Sequence, residues 1–360
     1  MGMRIKSTII FNSGVRFLKN EFFRKISSLS GKNLYLPPNL IDLRLTLKCN
    51  LKCQQCPEWK MSGFKELSTE QWKNIILDIK SYIGPYFLRF YGGEPFCRGD
   101  LLELINFCSQ NDISPLITTN GTIMTESLAK ELRKNNPALI NISLDGFQPQ
   151  THDKLRGIKG TYHKVMETID HLKGKVPIQI NTTIMNDNLD EILDLCNFAY
   201  RHKIQISFQG LINMTGGTEK LSFPKEHYLF PQDLKKLDYV ISEVVRRKKY
   251  NKGIVNSRQQ FARLKAYYHF SAQLKKKYCE IIASHIFIKQ DGNLRVCLFR
   301  EPIGNLANDS LKDIWKSERA AQTFREMRRC KMVDCLIFRG CYKEGYREMF
   351  NKVKNALCSA

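Results

Sequence analysis

The stretch Cys49-Asn50-Leu51-Lys52-Cys53-Gln54-Gln55-Cys56 sets the reading of the whole chain. It places three thiols within eight residues, directly after Ile41-Asp42-Leu43-Arg44-Leu45-Thr46-Leu47, an apolar run that alternates as a strand does. A short loop leaving a strand end can wrap three thiolates around one face of a cubane iron–sulfur cluster. Four irons need four ligands, so three cysteines leave one iron open. A structural zinc site closes its shell with four ligands. Here the local count stops at three, with no histidine nearby. The spacing argues for a cluster that does chemistry at its open iron.

The rest of the composition bounds that reading. The chain has 360 residues, room for one large domain and a smaller one, and 42% of them are hydrophobic, as a sizeable core requires. No run of 18 apolar residues occurs, so no helix is expected to span a membrane. Lys and Arg number 57 against 35 Asp and Glu, a net charge of +22. That excess suits a basic solvated surface, an anionic substrate, a membrane surface or an acidic peptide. No nucleic-acid recognition motif accompanies it, so no nucleic-acid partner is expected. Twelve cysteines without a cleavable signal peptide favour metal binding and a cytoplasmic setting. Cys97, Cys108 and Cys196 stand alone; Cys108 and Cys196 sit in helix-like apolar patterns and read as small core residues.

In chain order, residues 1–38 form a basic amphipathic arm ended by Pro37-Pro38. It reads either as a helix packed across the core domain or as a peripheral membrane or partner contact. From 39 to 210 strand-like and helix-like runs alternate. Strands are expected at 41–47, 87–91, 113–118, 139–144, 177–184 and 204–208, with helices near 68–82, 99–110, 124–135, 160–173 and 188–202. Such alternation means parallel βαβ units. Six strands are too few to close an eight-stranded barrel, so the fold class is α/β: a partial (β/α)6 TIM-like barrel, with its ligand at the carboxyl ends of the strands. Residues 211–275 form a helical bridging segment, with helices near 232–249 and 257–275. In the second, Phe261, Leu264, Tyr267, Tyr268 and Phe270 read as packing residues. A second cysteine field spans 276–345, and 346–360 form a tail.

The spacing Cys49-x3-Cys53-x2-Cys56 resembles the signature of radical S-adenosylmethionine (SAM) enzymes. The resemblance implies a [4Fe–4S] cluster on Cys49, Cys53 and Cys56, with SAM chelating the open iron. An electron then cleaves SAM to a 5′-deoxyadenosyl radical that takes hydrogen from a substrate. Three further strand ends resemble the family: Gly92-Gly93-Glu94-Pro95, Thr118-Thr119-Asn120-Gly121 and Ser143-Leu144-Asp145-Gly146. By that resemblance the backbone of Gly92, Gly93 and Glu94 meets the amino group of SAM. Thr119, Asn120 and Ser143 hold its ribose and methionine parts, Ser143 best placed for a ribose hydroxyl. Within His152-Asp153-Lys154-Leu155-Arg156-Gly157, common in one large subgroup, Arg156 pairs with the SAM carboxylate or is a surface charge. Arg89, two residues before the glycines' turn, points into the barrel by alternation and meets an anionic substrate or an acidic core partner.

The second cysteine field reads as a hairpin, His285 to Gln290 and Asn293 to Cys297, around an Asp291-Gly292 turn. Gly304-Asn305-Leu306, a helix around Leu311 to Trp315, and Cys330, Cys335 and Cys341 follow. This resembles the auxiliary-cluster extension called SPASM, or its shorter form, Twitch. Two departures stand out: Gly345 occupies a position where full SPASM has cysteine, and the Cys330–Cys335 spacing is wide. The resemblance implies one auxiliary cluster on Cys279, Cys297 and two of Cys330, Cys335 and Cys341. The alternatives are a second cluster that adds Cys358, or zinc. An auxiliary cluster could accept the electron left on the substrate, making the reaction a net oxidation or cross-link. It also implies an external flavodoxin- or ferredoxin-like reductant and a small-molecule or peptide substrate. The 38 residues before the barrel are too few for the leader-binding module of many peptide modifiers. That favours a small or lipid-linked metabolite, or a peptide delivered by a separate protein. A non-catalytic iron–sulfur protein is the reading from another class; it would not need the glycine turn or Ser143.

Overall fold

The computed structural model describes residues 38, 40–212, 227–270 and 285–330. The N-terminal arm, Cys279, Cys335, Cys341 and Cys358 lie outside the described residues. Six strands run parallel and side by side in chain order: β1 (Leu40–Thr46), β2 (Phe87–Gly92), β3 (Ser114–Thr119), β4 (Leu139–Ser143), β5 (Ile178–Ile184) and β6 (Gln205–Gly210). Between them lie α1 (Thr69–Ile83), α2 (Leu101–Gln110), α3 (Glu126–Lys134), α4 (Pro149–Arg156), α5 (Thr161–Leu172) and α6 (Ile192–Arg201). Consecutive strands that pair only with their sequence neighbours wind in one direction, as in a barrel, and six of them leave it open. This is the partial barrel expected.

Local sequence explains the elements. In α1, Trp72, Ile75, Ile76, Ile79 and Ile83 are buried, a helical stripe at the spacing that faces a core. Ser68 caps it: its hydroxyl accepts from the Gln71 N–H, and the Gln71 side chain accepts from the Ser68 N–H. Each strand sends alternate residues to opposite faces. Ile41, Leu43 and Leu45 of β1, with Leu88 and Phe90 of β2, are buried in the apolar layer under the helices. The register carries that parity around the sheet, so Asp42 and Arg44 face the same side as Arg89, Tyr91, Ser143 and Asn181. That inner face is polar. Cys108 and Cys196 are fully buried in helices α2 and α6, as small core residues.

Three findings depart from the expected elements. Residues 149–156 form α4, a short helix that begins at a proline and ends at Gly157 in the left-handed region. α7 (Leu234–Arg247) and α8 (Arg258–Tyr268) follow β6, and α8 stops well before 275. Phe261, Leu264, Tyr267 and Tyr268 are buried as expected, and Phe270, partly exposed beyond the helix end, packs its ring against Phe230 and Tyr267. The hairpin β7 (His285–Ile288) and β8 (Asn293–Arg295) joins the same sheet: β7 pairs in parallel with β1, and β9 (Gly304–Asn305) adds to β8. α9 (Leu311–Lys316) and α10 (Glu318–Arg328) come next, and the Leu311 N–H donates to the Asp78 carboxylate of α1. No described helix is long and apolar enough to cross a membrane.

Arg89 has an acidic core partner. It pairs with the buried Asp42, which also lies 2.7 Å from His285 of β7. Burial alone would raise the Asp42 pKa; its interactions and hydrogen bonds with Arg89 and His285 outweigh it and hold the carboxyl below its usual range. A depressed native pKa contributes stability that is present above about pH 4 and lost as pH falls through the native value. Asp42→Ala removes the buried counterion of Arg89 and the partner of His285 and should cost about 3–5 kcal/mol at pH 7. The thermal midpoint measured from pH 7 to pH 3 checks this. The gap between variant and wild type should shrink as the solution becomes acid, and equal midpoints at pH 7 would contradict it.

Candidate functional site

The cysteine loop leaves β1 at the carboxyl end of the sheet and has little regular structure of its own. Neighbouring strand ends and α4 hold it. The Lys52 N–H donates to the Arg156 carbonyl (3.3 Å) and the Gln54 N–H to the Leu155 carbonyl (3.0 Å), so the loop lies along the end of α4. Gly157 makes the approach feasible: its φ is +76°, and a Cβ there would stand 2.2 Å from the Lys52 carbonyl oxygen. Both constraints select glycine. Inside the loop, the Cys56 N–H donates to the Cys53 carbonyl (3.2 Å), and the Trp59 indole N–H donates to the same oxygen (3.2 Å).

Two of the three sulfurs receive side-chain N–H groups. Arg156 Nη1 lies 3.8 Å from Cys53 Sγ, and Asn120 Nδ2 lies 3.9 Å from Cys49 Sγ. The Leu51 N–H also donates to Cys49 Sγ, at 3.5 Å. Such donors stabilise thiolate sulfur and tune an iron–sulfur cluster. Burial pushes the Cys49 thiol up to about 11 and the Cys56 thiol up to about 12. Thiols held neutral by burial ionise when a cation replaces the proton. Three closely spaced cysteines, two of them with N–H donors aimed at their sulfurs, therefore fit an iron–sulfur cluster. Among the described residues no group of three His, Cys, Asp or Glu side chains is arranged for a single metal ion.

Arg156 is buried and ion-paired with the fully buried Asp145, at 2.7 Å. Asp145 also accepts from Gln55 Nε2 (3.1 Å) and the Thr183 N–H (2.8 Å), and its own N–H donates to His152 Nδ1 (3.2 Å). One carboxylate thus joins β4, β5, α4 and the cysteine loop. Asp145 sits in the quoted Ser-Leu-Asp-Gly stretch, where the reading singled out Ser143. The signal that could have found it is a strand-end aspartate with an arginine one short helix later. Arg156, expected at the SAM carboxylate, has Asp145 and Cys53 as its partners in this structure.

The other strand-end motifs also turn toward the loop. Gly92 and Gly93 pack on the end of β1: added Cβ atoms would stand 2.2 Å from the Thr46 oxygen and 2.3 Å from the Lys48 oxygen. The Gly93 and Glu94 N–H groups donate to those same two carbonyls. The Glu94 side chain is fully buried. Its carboxylate accepts from the Thr119 hydroxyl (2.8 Å) and from the Asn120 (2.7 Å) and Phe96 (3.1 Å) N–H groups. Burial pushes its pKa up to about 7, against the pull of those donors. Thr119 differs from expectation for a plain reason: strand parity turns it off the inner face, and its hydroxyl meets Glu94. Asn120 reaches the cysteine loop, donating to Asn50 Oδ1 (2.8 Å) as well as toward Cys49. Ser143 ends β4 on the inner face, half-buried. Of the auxiliary-cluster candidates, Cys297 follows β8 and Cys330 follows α10, both half-buried.

The contact between Gly157 and Lys52 gives a test. Gly157→Val should add about 1–2 kcal/mol of backbone strain and push the loop off α4. Iron content and visible absorbance after anaerobic reconstitution should fall. Wild-type iron in this variant would contradict the positioning role.

Comparison with known proteins agrees with this geometry. The family model for the Radical SAM superfamily matches residues 43–199, and that for the SPASM iron–sulfur cluster-binding domain matches residues 279–342. The chain is 35% identical over 158 residues to an AdoMet-dependent heme synthase of Methanosarcina barkeri, covering 43% of this chain and 45% of that protein. It is 35% identical over 185 residues to a GTP 3′,8-cyclase of Clostridium perfringens, covering 49% and 56%. The matches thus span about half the length of these curated relatives. The fold is similar to that of native anSMEcpe with bound AdoMet and a Cp18Cys peptide, at a TM-score of 0.63 and 18% identity over 89% of this chain and all of that one. The cofactors that follow are SAM, a [4Fe–4S] cluster and auxiliary iron–sulfur chemistry in the C-terminal region. With its three-cysteine loop braced at the carboxyl ends of a parallel sheet, this chain belongs to the radical SAM superfamily and carries a SPASM extension.

Proposed function

We propose that this chain is an oxidoreductase that abstracts hydrogen from a small anionic metabolite, with net oxidation or cross-linking as the outcome. The observation that carries the reading is the inner face of the sheet, which lies below the cysteine loop and is polar and charged rather than apolar. When bound, the cluster on Cys49, Cys53 and Cys56 together with SAM supplies a 5′-deoxyadenosyl radical able to take hydrogen from an unactivated carbon. The chain's own residues do the rest. Arg156 and Asn120 orient the loop and donate to its sulfurs, Asp145 and Glu94 fix those donors, and Ser143 offers a hydroxyl at the inner rim for the SAM ribose. Cys279, Cys297 and two of Cys330, Cys335 and Cys341 would hold one auxiliary cluster, and Cys358 would join if there are two. That cluster would offer a destination for the substrate electron, and a flavodoxin- or ferredoxin-like protein would supply the electron that starts the cycle.

A second reading, a peptide or protein side chain as substrate, is favoured by the other half of the same face. There Gln179 and Asn181 of β5 and Gln209 of β6 present amides, which suit a peptide backbone. Ionic strength separates the two. Binding of an anionic metabolite should weaken steeply with added salt, whereas a neutral peptide held by amides should be nearly indifferent.

Anaerobically reconstituted protein with a strong reductant should convert SAM to methionine and 5′-deoxyadenosine. The Cys49→Ala/Cys53→Ala/Cys56→Ala variant should form none and should lose one cluster's iron, about four atoms per chain. Absence of 5′-deoxyadenosine from the wild type would sink the reading, and absence of SAM binding in a calorimetric titration would point to a non-catalytic iron–sulfur protein.

A further inference from the structure

The charges on the inner face are not evenly spread. They gather where β1 meets the β7–β8 hairpin. Asp42, Arg89 and His285 satisfy one another deep in this region. Nearer the carboxyl end of β1 the balance is different. Arg44 is oriented by two partners, Glu58 (2.9 Å) and the Gln290 side chain (3.0 Å). The parallel register of β1 with β7 pairs Leu43 with Ile288, so one step on it sets Arg44 beside Lys289. The antiparallel register of the hairpin pairs Phe287 with Arg295, which puts Arg295 on the face that Lys289 shares. Tyr91 of β2 stands on the other side of Arg44.

Lys289 is the unsatisfied member. Its side chain is half-buried, and among the described residues its ammonium has neither a hydrogen-bond nor an ion-pair partner. Burial, then the charges of Arg295 and Arg44, lower its pKa; Asp291 and Glu301 offset this only in part. Arg295 is more than nine-tenths buried, and its Nε has no hydrogen-bond partner. Its other nitrogens donate to the Arg300 carbonyl (2.8 Å) and the Leu298 carbonyl (3.5 Å), and lie 3.8 Å from the exposed Glu301. Asp291 is occupied at the hairpin turn, accepting from the Asn293 backbone and side-chain N–H groups (3.1 and 2.8 Å). A partly desolvated ammonium beside two guanidiniums is a favourable place for an anion, which would offset the three cationic charges.

The geometry points to an anion subsite on the inner face, in which Lys289, flanked by Arg44 and Arg295, binds a phosphate or carboxylate of the substrate. The inference deepens the anionic-metabolite reading and rests on it. It assigns the recognition of substrate charge to the hairpin that adds to β1, on the side of the sheet away from the amides of β5 and β6. A bound anion there would pin one end of a substrate whose other end extends along the inner face.

The test uses the reconstituted full chain and two probes, inorganic pyrophosphate and citrate, followed by calorimetric titration. Wild type should bind at least one of them saturably. Preference for pyrophosphate identifies a phosphate site, and preference for citrate identifies a carboxylate site. Lys289→Met should weaken that binding about tenfold or more, the scale of one charge-assisted contact, while Lys289→Arg should retain most of it. Lys249→Met, which removes an exposed cation of the α7 end, should bind as wild type does. Equal binding by Lys289→Met and wild type would overturn the subsite. So would equal losses in Lys289→Met and Lys249→Met, which would mean diffuse attraction to a basic surface, or binding of neither probe. A wild-type thermal midpoint for Lys289→Met excludes misfolding, and if the midpoint falls, Lys289→Gln repeats the comparison. Wild-type SAM cleavage with no anion binding would sink the subsite alone, and anion binding without SAM cleavage would sink the enzymatic reading alone.

Discussion

A single guanidinium fixes the position of the cysteine loop. Arg156 is buried between a carboxylate at 2.7 Å and a cysteine sulfur at 3.8 Å. A buried charge is tolerated only when paired and hydrogen-bonded, so Arg156 requires Asp145, and Asp145 in turn gathers Gln55, Thr183 and His152. This one requirement aligns β4, β5, α4 and the loop. A short irregular segment could not hold three thiols in a fixed arrangement by its own backbone. It borrows rigidity from the strand ends around it, and each motif at those ends contributes to the bracing.

Glu94 plays the matching role on the other side of the loop. The glycine pair before it lets β2 close onto the end of β1, and its carboxylate then collects donors from the end of β3. The two buried acids therefore sit at opposite flanks of the same eight residues. Their environments differ: Asp145 has a guanidinium partner at 2.7 Å, whereas Glu94 has neutral donors as its hydrogen-bond partners and burial lifts its pKa to about 7. Electrostatic stiffness is concentrated where Arg156 lies, on the side of Cys53.

Most of the fold was legible because strand and helix here obey their periods closely. The six parallel strands appear within a few residues of where alternation places them, and α1 follows its stripe of Trp72 and isoleucines. Long-range partners were not legible. Arg89 finds Asp42 across 47 positions, and Arg44 finds Gln290 across 246; no local pattern encodes either. The pairing of β7 with β1 is of the same kind. Helix α4 was hidden because it is short and polar, and its residues read as a motif rather than as an element. The cysteine loop itself was plain from spacing. The roles of its neighbours were not, because a strand-end side chain can face a ligand or brace a loop with the same residue type. Thr119 is the clearest case: one step of strand parity separates it from the inner face.

The pairing of β7 with β1 also bears on aggregation. β1 sits inside the sheet, with β2 on one side and β7 on the other. On the side away from β2, its row of backbone donors and acceptors is met by a hairpin from far along the chain. During synthesis β1 emerges long before β7, and in that interval the strand carrying the cysteine loop is an uncovered edge, the kind that pairs with other chains. The C-terminal region thus shields the most association-prone strand of the barrel, and a shortened chain ending before residue 285 would be expected to lose solubility before it lost its cysteine motif.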